Sequence, residues 1–118
     1  MAVVSPSRYK YFWDLYEKGL LAISGAQVKV SGLAVSASAS ILSVNAVAGG
    51  NYEDLIVDFV VTFNTTVGGR LEEITINVRG PTLKNVTPVL VFCSSENMPV
   101  PSGTVKVTKR FIVRWYMG

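Results

Sequence analysis

Apolar and polar positions alternate along most of this chain. Leu55, Val57, Phe59, Val61 and Phe63 interleave with Ile56, Asp58, Val60 and Thr62, the period-two pattern of a strand that buries one face. From Leu71 to Val78 the pattern recurs, with Ile74, Ile76 and Val78 inward and Glu73, Thr75 and Asn77 outward. The segment Thr104–Met117 places Val105, Val107, Phe111, Val113, Trp115 and Met117 on one face. Lys106, Thr108, Arg114 and Tyr116 fall on the other. Val89–Cys93 reads as a short apolar strand, and Glu96–Gly103, which holds Pro99 and Pro101, reads as a loop.

One segment changes phase. Leu33, Val35, Ala37, Ala39 and Ile41 alternate with small residues, after which Leu42, Val44 and Ala46 become the apolar set. An extra residue near Ile41–Leu42, a β-bulge, accounts for the slip. Gly49-Gly50-Asn51, Gly68-Gly69 and Gly80-Pro81 mark turns.

The beginning of the chain differs. Ser5 suits an N-cap, Pro6 a first helical position and Gly19 a helix stop. Tyr9, Phe12, Trp13 and Tyr16 then fall at helical spacing, which predicts about three turns of helix with an aromatic stripe. The competing reading is a strand, because Tyr9, Tyr11, Trp13 and Leu15 also alternate.

These elements predict an all-β fold: a single-domain antiparallel β-sandwich, Ig-like or jelly-roll-like, of about five to seven strands, with a short N-terminal helix or arm. The arm is expected over residues 1–24 and the sandwich over residues 25–118. About one residue in six is valine, which favours strands. At 118 residues the chain is one domain's worth, long enough to bury a core without disulfides.

Composition narrows the chemistry. Histidine is absent and Cys93 is the single cysteine, which removes His–Cys and all-cysteine zinc sites, Ser–His and Cys–His catalysis and any intrachain disulfide. No cofactor and no metal are expected. Cys93, in an apolar strand, is expected to be a buried, inert thiol. Charged residues are 16% of the chain, against roughly 25% in an average soluble domain. Mean hydropathy is +0.38. No run resembles a transmembrane helix, and Ser5-Pro6-Ser7-Arg8 interrupts the apolar start, so no cleaved signal peptide is expected. Asn64-Thr65-Thr66 and Asn85-Val86-Thr87 match the glycosylation triplet, a pattern frequent by chance.

The net charge of +3 is unevenly placed. Glu53, Asp54, Asp58, Glu72 and Glu73 gather in the middle, and Lys106, Lys109, Arg110 and Arg114 near the end. A carboxylate pair such as Asp54 and Asp58 is what a glycosidase needs across a cleft, but no cleft is signalled, and solvated acids on a strand are the plainer reading. The basic segment, interleaved with Phe111, Trp115 and Tyr116, has the residue types of a single-strand nucleic-acid binder.

Apolar surface beyond a monomer's needs, without catalytic equipment, points to an interface. The expectation is a non-enzymatic, self-assembling structural subunit, a virion coat, capsid or decoration protein above all. Its partners are other copies or other structural subunits, and its place is the virion or another extracellular assembly. The expected contacts are the aromatic arm (Tyr9, Phe12, Trp13, Tyr16) and pairing of the acidic residues with the basic strand of the next copy. The alternative is a small binding module, either an OB-like nucleic-acid binder using the C-terminal strand or a carbohydrate binder using the aromatic cluster, and cytoplasmic in that case.

Overall fold

The computed structural model describes residues 22–80 and 89–116. The chain is all-β. Six strands follow in order: β1 (Ala22–Val30), β2 (Leu33–Ala48), β3 (Tyr52–Thr65), β4 (Gly69–Arg79), β5 (Val89–Val100) and β6 (Gly103–Tyr116). All pairings are antiparallel, in one sheet of order β5-β4-β1-β2-β3-β6. In place of the two separate sheets expected of a sandwich, the strands make one sheet that curls until it is nearly barrel-shaped. The predicted N-terminal helix or arm lies outside the described residues apart from its last three positions, which belong to β1.

The core is the concave face. Leu55, Val57, Phe59 and Val61 of β3 are wholly buried, as are Ile74, Ile76 and Val78 of β4, and Phe63 nearly so. The period-two reading of these two strands therefore holds. Phe92 on β5 lies 5.4 Å from Phe59 and 5.1 Å from Phe111, ring centre to ring centre, and Phe59 lies 5.8 Å from Phe111. Since β5 and β6 stand at opposite ends of the strand order, this aromatic triad is what the curl brings together. Tilted and edge-on rings at such spacings add to the stabilisation from burial alone.

Irregularities of register shape the sheet. The bulge foreseen in β2 is present: Ile41 faces Phe59 and Ser43 faces Asp58, leaving Leu42 as the extra residue. A second in β4 makes Glu72 the extra residue between Leu71 and Glu73 opposite β1, and on the other side of β4 the strand β5 sets two residues, Glu96 and Asn97, against Glu72. A third, at Ser24 in β1, coincides with a parting of strands. β1 pairs with β2 only over Ala26–Val30 and Leu33–Ala37; its first residues stay with β4, while β2 continues alongside β3 to Ala48. A bulge bends its strand and sharpens the twist, which draws the start of β1 away from β2.

The β1–β2 turn is the two-residue pair Ser31-Gly32, with φ of 48° and 82°. Positive φ at both central positions is the requirement of a type I′ hairpin turn. Ser31 tolerates it because its backbone N–H donates to the Arg70 carbonyl at 2.9 Å and its Oγ accepts from the Arg70 N–H at 3.0 Å.

Two sequence readings need correction. Glu96–Val100 is strand, not loop: Pro99 on β5 stands opposite Arg70, and among the described residues β5 is an end strand whose other side has no ladder to interrupt. Cys93 is exposed, not buried. The inward set on β5 is Leu90 and Phe92, continued by Ser94, Glu96, Met98 and Val100, so Cys93 points outward, where it receives a weak contact from the Thr75 hydroxyl at 3.7 Å.

Candidate functional site

β3 and β6 pair in full register, from Tyr52 opposite Tyr116 to Thr65 opposite Gly103. On the convex face this sets Asp54 against Arg114 and Asp58 against Arg110. Both pairs are bidentate. Arg114 donates from Nε and Nη2 to the Asp54 carboxylate at 2.6 and 2.8 Å, and Arg110 likewise to Asp58 at 2.8 and 3.2 Å. Fork-to-fork geometry of this kind is the strong form of the ion pair. Residues directly opposite on an antiparallel pair have neighbouring side chains, so the register alone accounts for the partnership.

Each pair has a further support. Because Leu42 is the extra residue of the bulge, Ser43 stands opposite Asp58 and donates its hydroxyl to Oδ2 at 3.1 Å. A row Ser43–Asp58–Arg110 thus crosses three strands. The Arg114 guanidinium lies 4.0 Å from the centre of the Tyr52 ring, a cation–π contact, and Tyr52 meets Tyr116 edge-on at 6.4 Å. The hydrogen bonds from Arg114 hold the Asp54 carboxyl below its ordinary range against the opposing effect of burial. Those from Arg110, with Ser43, do the same for Asp58. Arg110 is pushed upward by Asp58, and Arg114 by Asp54 and then Tyr116. A carboxylate so held is a poor proton donor, so the glycosidase-like role for Asp54 and Asp58 finds no support in this arrangement.

Lys109 is on the other face. It stands opposite Phe59, in phase with Val107 and Phe111, on the concave side of β6. Its Nζ lies 2.6 Å from Oε1 of Glu96, and the Ser94 hydroxyl donates to that same oxygen at 3.1 Å. This polar cluster bridges the seam between the two end strands. Glu96 and Ser94 were missed at the sequence level because the prolines that follow suggested a loop. The alternation Leu90, Phe92, Ser94, Glu96, Met98 and Val100 was the signal that the strand continued.

The remaining expected contact residues are dispersed. Glu72, displaced by its bulge, accepts a hydrogen bond from the Gly32 N–H and so serves the β1–β2 turn. Glu73 is exposed on β4, Glu53 is half-buried at the start of β3, and Lys106 is exposed on β6 opposite Thr62. Tyr9, Phe12, Trp13 and Tyr16 lie outside the described residues. Asp54, Asp58, Arg110, Arg114 and Lys109 are each partnered within the chain. Phe111 is wholly buried and cannot stack on a base, which takes one aromatic platform from the nucleic-acid reading.

Apolar side chains are nevertheless plentiful outside. Leu33 is 71% exposed, Leu42 61% and Val67 80%, with Val47, Val91 and Tyr116 near half. Leu33 and Val67 line a shallow groove of about 200 Å³ together with Val30, Val35 and Asn64–Thr66, at the end of the sheet that carries the Ser31-Gly32 turn. Among the described residues no helix is long and apolar enough to cross a membrane. No family model, no curated protein and no solved structure matches this chain.

Proposed function

We propose that this chain is a non-enzymatic structural subunit that assembles with copies of itself or with other structural subunits, the coat, capsid or decoration layer of a virion being the setting that suits it best. One observation carries the reading: large apolar side chains stand in solvent around a core that is already full. Leu33, Leu42 and Val67 are all more than 60% exposed while the aromatic triad beneath is sealed. Such surface is unfavourable on a lone domain and productive at an interface.

The brick in this proposal is sandwich-like in its packing, with the β5-β4-β1 half of the sheet laid over the β2-β3-β6 half. Its aromatic N-terminal arm, Tyr9, Phe12, Trp13 and Tyr16, reaches a neighbour. Charge pairing between copies has a smaller part than the sequence suggested, since five of the candidate charges have partners in their own chain. Glu53, Glu73 and Lys106 are the members of that set left for contact with a neighbour.

Light scattering of the purified chain over a concentration series, at low and high salt, tests this. The expected result is a discrete oligomer or polymer whose mass is insensitive to salt, as apolar contacts are screened little. A monomer of 12.8 kDa at every concentration overturns the proposal.

A further inference from the structure

The first residues of β1, which is described from Ala22, leave β2 for β4, so β2 beyond Ala37 has an edge with no ladder partner among the described residues. From Ser38 to Ala48 it pairs with β3 alone. Eleven residues of strand span roughly 36 Å. We infer that this edge is where a second copy of the chain pairs, β2 against β2 about a two-fold axis, so that two sheets become one. The inference rests on the self-assembly reading and names its first contact.

The edge is unlike the other two. The open sides of β5 and β6 face each other across the seam, joined by Lys109–Glu96 and by Phe92 against Phe111. β5 carries Pro99 and β6 carries Lys106, Arg110 and Arg114, the devices by which proteins guard an edge. The β2 edge has neither proline nor charge. No charged residue occurs between Lys29 and Glu53, and the one guard is the bulge at Leu42. Leu42 and Val47 are exposed beside it, as are Asn45, Ala46 and Ala48.

Neutrality selects the occupant. Around a two-fold axis residue i faces residue j of the other copy and j faces i, so the strand meets itself reversed, and like charges directly opposite are destabilising. A segment without charge is self-compatible, and it offers no ionic complement to a charged foreign partner. An antiparallel ladder over this length forms on the order of ten hydrogen bonds, the number a typical specific interface carries.

Sedimentation of the full chain tests this with Leu42→Lys, Val47→Lys and, as a control away from the edge and outside the exposed apolar set, Thr108→Lys at an exposed position of β6, each checked for its β-sheet circular dichroism. The unaltered chain should associate. The two edge variants should each weaken association by about tenfold or more, and the control should not. Amide hydrogen exchange of the unaltered chain is a second readout: the amides of 38–48 should become more protected as concentration rises. Association with undiminished strength in both edge variants, or no concentration-dependent protection in 38–48, overturns the edge pairing while leaving self-assembly standing. A monomer at all concentrations overturns both.

Discussion

Lys109 and Glu96 meet inside the curl of the sheet. The lysine stands opposite Phe59 on β6 and the glutamate belongs to β5, the strand at the far end of the hydrogen-bonding order, yet their charged atoms are 2.6 Å apart. Among the described residues no ladder joins β5 to β6, and this ion pair and the aromatic triad hold the two strands together across the seam.

Removing one member of that pair should harm more than removing both. The two side chains are only 24% and 18% exposed, so a lone charge would be left in a largely apolar setting. Lys109→Met should destabilise the fold by about 1–3 kcal/mol. Lys109→Met with Glu96→Leu should recover most of that loss, because a packed apolar pair substitutes well for a sheltered ionic one. Urea unfolding of the two single variants and the double variant checks this; equal losses in all three would refute it.

The two aspartate–arginine pairs should couple unequally. The Arg114 side chain is 28% exposed and rests on Tyr52, whereas Arg110 is 58% exposed. Solvent screens the second pair more. Double-mutant cycles with Asp54→Ala/Arg114→Ala and Asp58→Ala/Arg110→Ala should give the larger coupling energy for the first.

The same pairs set an acid limit. Both aspartate pKa values are lowered in the fold from an ordinary 3.8. As pH falls, the unfolded chain therefore takes up protons first. The stabilisation is present above the ordinary value and is lost as pH falls through the lowered ones. Thermal melts should show a drop below about pH 4, smaller in an Asp54→Asn/Asp58→Asn variant than in the unaltered chain.

Phe59 is the centre of the aromatic triad and has no exposed surface. Phe59→Ala should cost about 3–5 kcal/mol, seen as a large fall in the urea midpoint. Phe59→Leu should cost distinctly less, since most of the volume is kept.

Gly69 illustrates a tighter constraint. A Cβ there would lie 2.3 Å from the Ser31 Oγ, an atom already engaged by the Arg70 N–H. Gly69→Ala should destabilise by about 1–3 kcal/mol. Ser31→Gly should restore part of it, removing both the obstructing hydroxyl and a non-glycine residue from positive φ. A melting temperature for the double variant no higher than for Gly69→Ala alone would count against this reading.

Alternation by itself determined the inward faces of β3 and β4, Leu55 to Phe63 and Ile74 to Val78, and the bulge at Leu42, because a strand's side-chain period is a local property of the backbone. It also placed Lys109 in phase with Phe111, although a lysine there was read for its charge rather than its position. Tertiary structure alone decided the rest. The parting of β1 from β2 follows from how the twisted strands share β4 and β3, and the meeting of Glu96 with Lys109 from the curl of the whole sheet. The pairing of Asp54 and Asp58 with Arg114 and Arg110 in cis, rather than with a neighbour, needed the β3–β6 register, which joins residues 52 and 60 positions apart. Strand order and register depend on which distant segments bury each other's apolar faces, and a local period carries no record of that choice.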